Sequence, residues 1–152
     1  MSETIIIAID PDMIASGIAV VKNKKEIVEL TKKDINELVP YIKLWAQNHA
    51  VLIKIEDPNM ISPTFPRVIK KAISMQAVRD KISQDVGRVK ASATLIIQII
   101  EHAGFSVQRV KPVKGPVKKL CKNDSAYFNK VFNWSGRSNE DNRDAAIIAV
   151  YG

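Results

Sequence analysis

Cysteine, present once, and histidine, present twice, are scarce in this chain, and each scarcity closes a class of function. Cys121 alone can form no internal disulfide, so the reducing cytoplasm is the expected compartment. Its side chain reads as a half-buried small apolar group. His49 and His102 lie too far apart for a zinc spacing and read as helix-end residues. No apolar run approaches the ~20 residues that cross a bilayer, and Met1-Ser-Glu-Thr lacks the basic start and cleavage signature of a secretory peptide. A Gly-x4-Gly-Lys-Ser/Thr phosphate loop is also missing. A sugar-kinase-like ATPase would need such loops and a second lobe. What is present, 152 residues that are 46% hydrophobic and 26% charged, has the balance of a single globular domain spanning 1–152.

Acidic charge is scarce too, and unevenly so within a net charge of +7. Between 105 and 139 stand Arg109, Lys111, Lys114, Lys118, Lys119, Lys122, Lys130 and Arg137 against Asp124 alone. Such concentration is the electrostatic footprint of phosphate binding, with a merely solvated basic face as the plain alternative. A membrane surface fits less well, because these bases follow no amphipathic helical spacing.

Hydrophobic periodicity gives the elements. Residues 4–10 and 16–22 read as buried strands and 26–31 as a third, an antiparallel meander. Ile35, Leu38, Val39, Ile42 and Trp45 keep the spacing of one helical face over about 34–48. A strand at 51–56 follows, stopped by Asp57-Pro58, and strand–helix–strand implies a parallel crossover. A long helix is expected over about 74–103, ended by Gly104, with Val78, Ile82, Val86, Val89, Ala93, Ile96 and Ile100 as its core face. Gly87 and Ala91 on that helix would admit another helix closely, from this chain or from a second copy. A strand at 105–110, short helices to about 132 and a last helix at 139–150 complete an α/β domain with a mixed sheet.

Four acids then stand out. Asp10 closes an otherwise apolar strand, Glu56 closes another, and Asp141 and Asp144 share one face of the last helix. Unpaired carboxylates gathered in one pocket repel, and hard oxygen donors suit magnesium or manganese. Two of them have a plainer role available: Asp10 as a turn former, and Asp141 as the N3 partner of a capping box begun by Ser138. Capping does not account for Asp144.

These motifs resemble the RuvC family of Holliday junction resolvases, especially its phage-type members, within the RNase H-like nucleases. The residues that carry the resemblance are Ile9-Asp10-Pro11-Asp12 with Ser16-Gly17, Ile55-Glu56, Gly87-Arg88, Val110-Lys111-Pro112 through Lys118-Lys119, and Asp141-Asn-Arg-Asp144. They span nearly the whole chain in the family's order. The resemblance implies an RNase H-like mixed sheet, with three antiparallel strands and then parallel crossovers, flanked by helices. It implies Asp10, Glu56, Asp141 and Asp144 as catalytic acids holding two Mg²⁺, with Mn²⁺ as a substitute. It also implies DNA contacts from Lys111, Lys114, Lys118, Lys119 and Arg88, and a homodimer that makes paired nicks in four-way junctions, leaving 5′-phosphate and 3′-hydroxyl ends. A virus-encoded protein acting in the host cell is the expected source. Two departures are visible: Asp12 stands where the family has glycine, and the aromatic wedge after the glutamate is absent from Asp57-Pro-Asn-Met60, leaving Phe65 or Met60 for that place. Other branched DNA, structured RNA, or a non-catalytic nucleic-acid-binding role on the same scaffold are the alternatives.

Overall fold

The structure, a computed structural model, describes residues 3–60 and 75–152. Five strands, β1 (Thr4–Asp10), β2 (Ser16–Lys22), β3 (Glu26–Lys33), β4 (Ala50–Glu56) and β5 (Val107–Val110), form one sheet in the order β3-β2-β1-β4-β5. The pairs β1/β2 and β2/β3 are antiparallel, whereas β1/β4 and β4/β5 are parallel. The helices are α1 (Ile35–Ala46), α2 (Met75–His102), α3 (Pro116–Asn123), α4 (Ser125–Phe132) and α5 (Glu140–Tyr151), with a 3-10 turn at Pro58–Met60. This is the mixed, helix-flanked sheet expected from the sequence. No helix among the described residues is long and apolar enough to cross a membrane.

The near-continuous apolar run of β1 follows from burial on both faces. Ile5, Ile7 and Ile9 join Leu38, Ile42, Ile96 and Ile100 on the side of α1 and α2. Ile6 and Ala8 join Ala145, Ala146 and Ala149 on the side of α5. Small residues dominate the second face: Ala8 pairs with Ala19 in register, so α5 comes close to the sheet centre. Each fully buried isoleucine contributes about 2 kcal/mol, and three of them pin β1 from behind.

The caps explain the helix boundaries. Asp34 accepts from the Asn36 and Glu37 amides and Glu37 returns the bond, a capping box that opens α1. Asp124 opens α4 in the same manner, accepting from the amides of Ala126 and Tyr127. Gly104, at φ +99°, lies two residues beyond α2, as expected of its stop.

Three expectations need correction. The core face of α2 does not run through Val89, which is 49% exposed, while Ala93, Ile96, Ile97 and Ile100 are buried. The apolar spacing continues past the surface on which the helix packs; the side chains of Val78, Ile82 and Val86 lie outside the described residues. The fifth strand begins at Val107 rather than 105, because the Phe105 amide still bonds back to the Ile100 carbonyl. Cys121 is fully buried rather than half-buried. Gly87 and Ala91 are exposed, and a Cβ added at Gly87 meets nothing within 4 Å among the described residues.

Candidate active site

Strand alternation decides which way the acids face. On β1, Ile6 and Ala8 look toward α5, so Asp10 does as well. On β4, Leu52 packs into the same layer and Lys54 Nζ donates to the Ala149 carbonyl at 3.3 Å and the Gly152 carbonyl at 3.0 Å, at the far end of α5. Glu56 follows in the same parity. Because Ile9 pairs with Ile55, the two acids end neighbouring parallel strands side by side.

The first turn of α5 brings the other pair. Gly17 is the register partner of Asp10, and a Cβ there would lie 2.3 Å from the Asp141 carbonyl oxygen. Glycine leaves the space that the helix start occupies, directly beside Asp10. One turn on, Asp144 is 7% exposed.

The capping box of α5 is not the one expected. Asn139 is the N-cap and Asn142 its N3 partner, their side chains bonding each other's backbone amides at 2.9 and 2.8 Å. Of two adjacent residues able to cap, the asparagine is used, which shifts the register by one. Asp141 is thereby free of capping.

The electrostatics register the convergence. Asp10 is pushed up to about 8, first by burial and then by Glu56, Asp144 and Asp141, with Lys118 opposing. Asp144 is also raised, chiefly by burial, against the pull of Lys118 and Lys122. Glu56 Oε2 and Asp144 Oδ1 are buried without a hydrogen-bond partner among the described residues. Buried, unsatisfied carboxylate oxygens fit a hard divalent cation in kind. As they stand, however, the described residues contain no group of three His, Cys, Asp or Glu side chains that could hold one ion.

Lysines approach three of these acids. Lys32 Nζ lies 2.8 Å from Asp141 Oδ2, Lys118 Nζ 3.6 Å from Glu56 Oε2, and Lys122 Nζ 3.7 Å from Asp144 Oδ2. The last two are ion pairs too long for hydrogen bonds. Sequence reasoning missed Lys32 and Lys122. The sheet register alone would have found the first, because Lys32 pairs with Gly17, which pairs with Asp10. Arg143 was missed too: buried at 8% exposure, it donates to the Lys122 carbonyl at 2.8 Å and to Ser138 Oγ at 3.0 Å, tying α3 to α5.

The remaining residues distribute plainly. Lys111, Lys114 and Lys119 are exposed, on the stretch after β5 and on α3. Arg88 is exposed on α2, lining a shallow cleft with the turn Pro11–Ile14. Asp12 accepts from the Ile14 amide at 2.9 Å, the turn-building role of a short carboxylate. Met60, 40% exposed, ends the 3-10 turn after Glu56. Phe65 lies outside the described residues.

No known family's sequence model matches the chain, and no curated protein does. Solved structures do match. The T. thermophilus RuvC in complex with Holliday junction substrate is 14% identical, with a TM-score of 0.53 over 97% of this chain and 90% of that one. A further Thermus thermophilus RuvC structure, also 14% identical, covers 96% of this chain and 91% of its own at a TM-score of 0.47. The chain's structural neighbours are thus RuvC Holliday junction resolvases, and its five-stranded mixed sheet with flanking helices has their RNase H-like fold.

Proposed function

We propose that this chain is a metal-dependent, structure-selective endodeoxyribonuclease of the cytoplasm that resolves four-way DNA junctions as a homodimer of single-domain subunits. The observation that carries this reading is the gathering of four carboxylates from β1, β4 and α5 at one end of the sheet, in a chain of net charge +7. Two Mg²⁺ per site, or Mn²⁺ in their place, would supply Lewis-acid stabilisation of the phosphate and a hydroxide-like nucleophile. Asp10, on which the other three carboxylates act, would hold the cations together with Glu56, Asp141 and Asp144. Burial of Asp10 and Asp144 lowers the local dielectric, which strengthens every charge interaction at the reacting phosphate.

Water attacking the phosphorus expels the 3′-oxygen, so the phosphate stays on the 5′ end. Lys111, Lys114, Lys118, Lys119 and Arg88 would grip backbone phosphates and give affinity without base readout. A two-fold pairing of subunits would set two sites on opposed strands, which makes the nicks paired and symmetric.

The test is cleavage of a labelled four-way junction with Mg²⁺, in competition with flaps, forks, hairpins and a structured RNA. Paired nicks with 5′-phosphate ends, made fastest in the junction, are expected. Faster cutting of structured RNA would move the substrate class, and binding without cutting under either cation would leave a binding module.

A further inference from the structure

The three ion pairs at the acids have features that structural salt bridges do not need. Lys32 and Lys122 have side chains 41% and 45% exposed, so their pairs add about 0–1 kcal/mol to stability. Nor do the lysines place their own elements. Buried Cys121 and the Arg143 bond to the Lys122 carbonyl anchor α3, and β3 is held by its ladder to β2. On α3, Lys118 and Lys122 are spaced i and i+4, so one helix face presents both ammonium groups to two different acids. The tails can therefore move while the helix stays. A lysine ammonium on its flexible stem is a mobile point charge that serves carboxylate and phosphate alike.

We propose that Lys32, Lys118 and Lys122 are place-holding cations: they neutralise Asp141, Glu56 and Asp144 in the metal-free protein and turn to substrate phosphates when divalent cations take those carboxylates. Lys32 and Lys122 thereby become phosphate-contacting positioning residues of the reaction, beyond the basic segment 111–119. This inference rests on the reading of the acids as a cation site. No bond is made or broken; only ion-pair partners are exchanged. Metal and nucleic acid then bind with positive, reciprocal coupling, since each frees the groups the other needs. The exchange also accounts for acids that converge without forming a ready-made metal cage.

Titration with Mn²⁺ alone, followed by calorimetry and by thermal shift, tests the exchange on the full chain. The variant Lys32→Met/Lys122→Met is expected to bind Mn²⁺ at least about fivefold more tightly than the parent. In Ca²⁺ it should bind a four-way junction more weakly, with a shallower salt dependence, and it should lose much of the Mn²⁺–junction coupling. Lys32→Arg/Lys122→Arg keeps the charge and should retain the parent's Mn²⁺ affinity; it also serves if the methionine variant folds poorly. Unchanged or weaker Mn²⁺ binding in the methionine variant, with Asp10-dependent binding intact in the parent, would overturn the exchange alone. Absence of any Asp10-dependent Mn²⁺ binding in the parent would overturn the cation site itself and the exchange with it.

Discussion

Asp10→Asn is expected to lower junction nicking by at least about a thousandfold, or ~4 kcal/mol of transition-state stabilisation, while making the metal-free protein more stable. Both effects have one cause. Asp10 closes a strand that is buried and apolar from Ile5 to Ile9, and its own burial, then the three further carboxylates, raise its pKa from 3.8 to about 8. The folded protein therefore holds this proton up to about pH 8, whereas the unfolded chain releases it near 3.8. Between those limits the folded state binds more protons, so stability falls as pH rises. The contribution is fully present below pH 3.8 and is lost progressively as pH climbs through about 8. Asparagine has nothing to ionise and escapes that loss.

One pH unit of such a window corresponds to about 1.4 kcal/mol, and 1 kcal/mol to about 2–4 °C for a chain of this size. A rise of at least about 5 °C in metal-free melting temperature is expected at pH 8, shrinking toward pH 5. Melts in EDTA across that range check it. A variant that melts with the parent at every pH would show that folding does not hold a proton on Asp10.

Gly17→Ala should damage both the fold and the site. A methyl group there would lie 2.3 and 2.4 Å from the carbonyl oxygen and carbon of Asp141, both backbone atoms at the start of α5. Neither can rotate aside, and the helix is packed along its buried alanines against β1 and β2. The whole first turn must lift, at a cost of about 3 kcal/mol. Asp141 and Asp144 move with it, away from Asp10. A melting temperature lower by about 6–12 °C and nicking down by at least about a hundredfold are expected. An alanine variant close to the parent in both would mean that α5 does not depend on this contact.

Much of this arrangement was legible in the sequence because it follows from local pattern. The runs at 4–10 and 16–22 gave two strands with the limits observed, since burial on both faces leaves an unbroken apolar signature. Asp10 and Glu56 could be placed at strand ends for the same reason. The errors fell where two local solutions compete or where partners are distant. Ser138 and Asn139 can both cap, and only packing of α5 against the sheet selects the second. Val89 keeps the helical spacing but precedes the buried apolar positions of α2, Ala93 to Ile100. Lys32 and Lys122 reach their acids across 109 and 22 residues of chain, contacts that no spacing encodes. Asp12 is spent on its own turn, which a sequence motif cannot distinguish from an outer ligand.

Crystals of the parent grown at pH 8 with Mn²⁺, measured at the manganese absorption edge, bear most directly on whether the acids form a cation site. Anomalous peaks touching Asp10 and shared with Glu56 on one side and Asp141 or Asp144 on the other are expected, with the ammonium groups of Lys32 and Lys122 drawn away. Peaks that avoid Asp10, or four carboxylates still holding only their lysines at saturating Mn²⁺, would contradict it.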